Sequence, residues 1–416
     1  MTEKEIWDKA YNNLLERYSG KYHVPDVRIL SRYHHEKAIL QESEFYVRYL
    51  ALFARIRETA EQKGEHISVP GTAGSSFIAY LLGATDINPL PRHEYCPKCH
   101  TTRFPGHGTP FDRAKTKCPC GEEMLIDGHN IPFESNIRSV LSNHLQLCVS
   151  EAFFDEAQRM IREEMDDQAI ITLKNEESSS PTWFCFLDKD ENEDREHPLD
   201  GNAELFREIP RITLTSNIFL DKYRKLEVAT GYRMKDIGEL EFSFVYPHFW
   251  DGLFDGIPNL DTDFMRDIFN ATQPTTFDEM LKLIGFAHGT NVWKENGEKY
   301  SKVGRLSLRE MPAYREDVYE MIFEKLRSNG IYDVGLAYEV AENVRRGYYA
   351  KNGGIDEETM LSLADIGFDM DFILFLEDIN YMFPKAHGIA YLRDAIRMMF
   401  YKLRYEKEYS AIMVNR

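Results

Sequence analysis

Four of the six cysteines fall in one short stretch, as CPKC at 96–99 and CPCG at 118–121. Thiolates are soft ligands, and zinc takes four of them in a closed tetrahedral shell with no open position. Cys96, Cys99, Cys118 and Cys120 therefore predict a structural Zn2+ site rather than a catalytic one. The second pair is CxC, tighter than the commoner CxxC, so His93, His100 or His107 could replace a thiolate. Cys148 and Cys185 stand alone in apolar surroundings, as free thiols do. The GTAGSS run at 71–76 offers different chemistry. Backbone N–H groups at a glycine-rich helix start can cradle phosphate, with Ser75 and Ser76 adding hydroxyl donors beside Gly74. The simpler alternative is a tight turn and close helix packing at Gly71 and Gly74. Asp188 and Asp190 form a DxD pair, but the surrounding DKDENEDREHPLD has the charge density of a solvated loop. It also lacks the sixth-position glycine and the placed glutamate of a calcium loop. Residues 385–416 carry seven lysines or arginines against three acids. Arg393, Arg397 and Arg404 recur there at helical spacing beside Lys402, the best local surface for DNA, or else an ordinary solvated helix face. His288, in FAHGTNVW, is a DNA contact or a helix-end cap.

The elements that must position these groups divide the chain in two. Residues 35–63 place Ile39, Phe45, Leu50, Leu52, Phe53 and Ile56 at helical spacing and predict one long amphipathic helix. A turn at GTAGSS leads into a short apolar helix, and a loop with the cysteines covers about 95–130. A helix is expected over 149–168, two strands within 169–187 around a polar turn, and a strand over 211–219. A helix over 220–230 ends near Gly231. Beyond 234 strand signals nearly vanish and apolar-periodic segments alternate with breaks such as NGI at 329–331 and NGG at 352–354. The formal charge of −19 repels nucleic acid over the whole molecule, so any DNA contact needs a local basic surface. No stretch is apolar enough to span a bilayer and the opening MTEKEIWDKAYNN has no signal-peptide core, so a cytoplasmic location and no membrane partner are expected.

The runs GTAGSSFIAYLLGATDINPLPRHEYCPKC, CPCG and DGHNIPFE, then PTTFDEMLKLIGFAHGTNVW at 274–293 and INYMFPKAHGIAYLRDAIRMMFYK at 379–402, resemble the PolC-type bacterial DNA polymerase III alpha subunit. The resemblance implies an α+β fold. It implies that residues 1–233 form a polymerase-beta-like palm sheet with thumb-like helices and a four-cysteine zinc insertion at 93–130, and 234–416 an all-helical fingers domain. By the same resemblance, the exonuclease and phosphoesterase-type regions before the palm and the clamp-binding region after it are expected to be missing from a chain of this length. Gly74, Ser75, Ser76, Lys385 and His387 match positions near the nucleotide in that family, although the arginine expected before the first glycine is Pro70.

Polymerisation needs magnesium held by carboxylates. By the same resemblance, the family's three aspartate positions fall on Asn136, Arg138 and Thr213, with Thr215 an alternative to Thr213. An amide lacks the negative charge, and arginine puts a cation where Mg2+ belongs. The expectation is a catalytically inactive relative without Mg2+. It binds a nucleotide or primer-template DNA as sensor, scaffold or accessory subunit, together with a protein partner. Two alternatives stay open. One is an active nucleotidyltransferase with displaced or partner-supplied carboxylates, Asp188 and Asp190 among them. The other is a protein-interaction scaffold, motivated by the net acidity and Pro70, in a defence or mobile-element system.

Overall fold

The computed structural model describes residues 1–21, 23–42, 44–69, 71–106, 116–133, 144–164, 170–173, 182–186, 211–237, 244–245, 247–249 and 254–413. It opens with α1 (Glu3–Tyr18), whose first turn is closed by a reciprocal Thr2/Glu5 capping box. Where the periodicity predicts one helix over 35–63, the structure has two, α2 (Val27–Leu40) and α3 (Glu44–Gln62). The apolar repeat is the same in both, but Leu40 is fully buried while Gln41 and Glu42 are exposed. A turn at this polar step lets each helix lay its stripe on α4 (Phe77–Leu82), which α1 also packs against. The GTAGSS turn is a 3-10 segment, Gly71–Ser75, feeding α4, and Gly83 ends that helix at φ 86°, where a glycine is favoured.

The cysteine region is a small antiparallel ribbon of β2 (His93–Tyr95), β3 (Thr102–Arg103) and β4 (Leu125–Asp127), in the order β3-β2-β4. A second sheet takes β1 (Ile67–Ser68), β5 (His144–Val149), β6 (Ile170–Leu173), β7 (Thr182–Phe186) and β8 (Arg211–Ser216) in the order β1-β5-β8-β7-β6. Only its central pair, β5 with β8, is parallel. The β6–β7 hairpin falls where alternation predicts it. Because side chains alternate across a strand, Leu145, Leu147, Val149, Ile212, Leu214 and Phe184 enter the core. His144, Gln146, Cys148, Thr213 and Thr215 take the opposite face. The helix expected over 149–168 starts later, as α5 (Phe154–Glu164) after one 3-10 turn, because β5 runs on to Val149. Strand β8 stops at Ser216, and Asn217 caps α6 (Ile218–Thr230), which Gly231 terminates at φ 70°.

The remainder is helical: α7 (Asp263–Thr272), α8 (Phe277–His288), α9 (Glu298–Lys302), α10 (Arg315–Ser328), α11 (Gly335–Arg346), α12 (Tyr348–Lys351), α13 (Glu357–Asp365), α14 (Met370–Glu377), α15 (Lys385–Arg404) and α16 (Glu406–Met413). Two large hydrophobic clusters result, beside a small one of Cys96, Cys118 and Met124. One joins α1–α5 to the core face of the sheet; the other joins α7–α16, Leu220, Tyr223 and Leu226 of α6, and Ile87 and Ile131. At the centre of the second, Tyr314 lies against Gly285 of α8 and Gly388 of α15 and donates a 2.5 Å hydrogen bond to the Leu281 carbonyl. Either glycine given a Cβ would drive it into Tyr314. Among the described residues no helix is long and apolar enough to cross a membrane.

Candidate functional site

The sheet face turned away from the core carries the groups nearest to chemistry. Thr213 lies opposite Gln146 in the parallel ladder, and its hydroxyl is 2.7 Å from Nε2 of His144. Burial, helped by the Arg211 charge, lowers the His144 pKa to about 4, so the ring is neutral at pH 7. Cys148 and Thr215 continue the face toward α15, where burial first and the Asp394 charge second push the Cys148 thiol up, against ionisation. On β5 and β8 this face has an imidazole, an amide, a thiol, two hydroxyls and the Arg211 guanidinium, and no carboxylate. Asn136 and Arg138, like Asp188 and Asp190, lie outside the described residues. The strand beside Thr213 is His144–Val149, so the i, i+2 pair flanking Thr213 is His144 and Gln146.

The glycine-serine turn and the start of α15 do meet: a Cβ on Gly74 would lie 2.9 Å from that of Ala386, between Lys385 and His387. Their polar groups are engaged internally, which differs from the phosphate cradle the sequence suggests. Glu36 of α2 is fully buried and accepts hydrogen bonds from the Ser76 hydroxyl (2.9 Å) and from the Phe77 and Ile78 N–H groups (2.9 and 3.1 Å). It also pairs with Arg32 at 2.5 Å. An internal carboxylate thus takes the anion position at the start of α4. Ser75 is buried, and its carbonyl accepts from Arg32.

Lys385 is equally enclosed. Its ammonium is 3.1 Å from Asp317, in a cavity of ≈ 270 Å³ with Glu320 and Lys282. Burial pushes the Glu320 carboxyl up to about 7, while Asn130 donates to it at 2.6 Å. Burial and the neighbouring acids act oppositely on Lys385, and the acids prevail, raising its pKa. His387 and His288, distant in sequence, join one aromatic group. His288 stacks on Phe383 with ring centroids 4.9 Å apart, and His387 lies 5.3 Å from the same ring. Burial lowers both pKa values, that of His387 to about 3. His288 Nε2 and His387 Nδ1 are buried without a hydrogen-bond partner among the described residues.

The basic stripe of α15 is not one solvated face. Arg393 and Arg397 turn into a cleft toward Asp86 and Asp394, Lys402 donates to the Asp255 carbonyl at 2.7 Å, and Arg404 alone of the four is exposed. Asp86, whose side chain keeps 43% exposure and meets Arg393, Arg57 and Arg397, is held well below the usual carboxylate range by those charges against partial desolvation, and carries no sequence signal.

The four cysteines converge. Their sulfurs all lie within 4.8 Å of one another, with Cys96–Cys120 at 3.5 Å and Cys99–Cys118 at 3.4 Å. A tetrahedron with metal–sulfur bonds of ~2.3 Å has sulfur–sulfur edges of ~3.8 Å, so the cluster is compatible with a structural metal. Neither nearby histidine is required. His93 lies between the Pro91 carbonyl and the Tyr18 hydroxyl, and His100 meets the Arg17 carbonyl. His107 lies outside the described residues.

Two domain models match the chain. Residues 4–179 match the bacterial DNA polymerase III alpha NTPase domain and residues 215–334 the finger domain of the same subunit. Both are domains of one protein family, the bacterial DNA polymerase III alpha subunit, which the chain is thus similar to over most of its length. The chain is also similar to PolC-type DNA polymerase III of Thermotoga petrophila (26% identical, 87% of this chain and 32% of the relative) and of Streptococcus thermophilus (26%, 97% and 32%). The corresponding protein of Caldanaerobacter subterraneus is 25% identical over 84% of this chain and 30% of its own length. The chain spans about a third of the length of these relatives.

Proposed function

We propose that this chain is a catalytically inactive polymerase III-like protein that holds a nucleotide or a primer-template end as a sensor, scaffold or accessory subunit. The observation that carries the reading is the palm-like face itself. The positions around Thr213 are His144 and Gln146, and this reading takes them, in place of Asn136 and Arg138, as the family's acid positions. A neutral imidazole, an amide and a hydroxyl cannot replace carboxylates around Mg2+, which requires oxygen ligands bearing negative charge. In this reading residues 1–233 form the palm-like unit, 234–416 the fingers-like unit, and Cys96, Cys99, Cys118 and Cys120 hold Zn2+ to fix the 93–130 insertion. His288 and His387, whose buried ring nitrogens lack a partner among the described residues, are the fingers groups this reading assigns to the ligand.

Purified, zinc-replete protein is tested for primer extension with Mg2+ or Mn2+ and all four dNTPs, beside a gel-shift assay on the same primer-template. The expected result is no extension with a shifted band. Metal-dependent extension abolished by Asp188→Asn with Asp190→Asn would establish the active nucleotidyltransferase instead.

A further inference from the structure

A cleft of ≈ 230 Å³ opens between the end of α3, β1, α6 and α15. Four arginines line it: Arg233, paired with Asp236, and three that gather around the Asp86 carboxylate, Arg57 from α3 and Arg393 and Arg397 from α15, with Glu61 and Asp394 on the same helices beside Arg57 and Arg397. Only Arg393 makes close contact, 3.1 Å to the carboxylate and 3.2 Å to the Asp86 carbonyl. Arg57 and Arg397 both stop 3.9 Å from the carboxylate, beyond hydrogen-bond reach. Each guanidinium carries five N–H donors. Among the described residues Arg57 makes one hydrogen bond, 3.3 Å to Glu61, and Arg397 one, 3.4 Å to Asp394. Both line the cleft, and Arg397 has a side chain only 17% exposed. Such donors, withdrawn from bulk water and short of acceptors, mark a place for an anion.

The acids of the facing wall do not compete for it. Glu65 is engaged by Arg224 and the Ser150 hydroxyl, and Glu227 by His66 and the Met234 N–H. Lys235 lines the same cleft and makes no ion pair among the described residues. Ile87, Leu220 and Met234 supply an apolar side. The volume lies just under the usual range for small-molecule sites, which excludes a duplex and suits a compact ligand.

We propose that this cleft binds a phosphate monoester of mononucleotide size or smaller, clamped by Arg57, Arg393 and Arg397, with Asp86 the internal anion that the phosphate displaces. The assignment narrows the nucleotide-or-DNA reading above and rests on it. Guanidinium forks from two helices match a tetrahedral dianion better than a single carboxylate, which explains why Asp86 satisfies one arginine and leaves two at a distance.

The test is calorimetric titration of the full, zinc-replete chain with thymidine 5′-monophosphate and, separately, inorganic phosphate, in low-salt chloride buffer. Arg57→Gln is expected to weaken binding roughly tenfold, the effect of losing one charge-assisted contact. Asp86→Asn is expected to tighten it by about the same factor, although it removes native ion pairs and lowers thermal stability. A merely structural Asp86 would not produce that opposition. Should Arg57→Gln fail to fold, Arg393→Gln replaces it. Phosphate binding indifferent to both substitutions overturns the clamp and leaves the broader reading intact, as does a DNA gel shift without phosphate binding. No binding of phosphate, nucleotide or DNA by either wild type or Asp86→Asn overturns both.

Discussion

Mild acid is expected to destabilise this protein at pH values where most of its carboxylates are still ionised. His129, His144 and His387 are held neutral by burial, with pKa values lowered to about 3, 4 and 3 from the ordinary 6.5. The unfolded chain takes up protons at these rings as pH falls through 6.5, whereas the folded chain does so only near 4 and below. Stability contributed by the neutral rings is therefore complete above pH 6.5 and is lost between about 6.5 and 4. From pH 7 to 5 each ring costs about 2 kcal/mol. Glu320 acts in the opposite sense. Its folded pKa is raised to about 7 from 4.5, so the folded state binds its proton first and recovers about 2 kcal/mol over the same interval. The net expectation is a loss of roughly 3–4 kcal/mol between pH 7 and 5, a large share of the ~5–15 kcal/mol that holds a typical protein folded. Urea denaturation followed by tryptophan fluorescence at half-unit pH steps measures it. The midpoint should fall steadily below pH 6.5, and Glu320→Gln, which removes the opposing group, should steepen the fall. A midpoint flat from pH 7 to 5 refutes the assignment of neutral, buried imidazoles.

Removing one thiol, as in Cys96→Ser, should release about one equivalent of metal, detected by a chromogenic chelator, and expose the 93–127 ribbon to proteolysis. Glu36→Gln leaves Arg32 facing a neutral group and the start of α4 without its anion; a loss of about 3–5 kcal/mol in urea denaturation is expected, as for other broken buried pairs. Gly388→Ala should destabilise despite the helix-propensity gain of ~1 kcal/mol, because the new methyl meets Tyr314. In that background Tyr314→Phe should recover part of the loss, and a stabilising Gly388→Ala would contradict the packing.

Much of the architecture is legible wherever the signal is local. Asn217 and Gly231 bound α6, the alternation of RITLTS marks β8, and the paired spacing of Cys96, Cys99, Cys118 and Cys120 announces their cluster. What escapes a sequence reading depends on partners far along the chain. A repeat compatible with one helix over 35–63 does not reveal that Gln41 and Glu42 form a turn. That β5 begins at His144 is decided by its ladder with β8. Arg393 and Arg397 look like surface charge until Asp86 arrives from a loop 307 residues before Arg393, and Ser76 looks like a phosphate donor until Glu36 is seen to occupy that place.

The parallel pairing of β5 with β8 also bears on how the molecule assembles. His144 and Thr213 are 69 residues apart, whereas the antiparallel β6–β7 pair closes over a short connection. Loop closure over the longer distance gives up chain entropy before any ladder bond compensates for it. The hairpin and the amphipathic helices can form early, but the face bearing His144, Gln146 and Thr213 is complete only once the two central strands meet. That face is therefore among the last parts to acquire its shape, and refolding measured through a probe on it should lag behind recovery of helical signal.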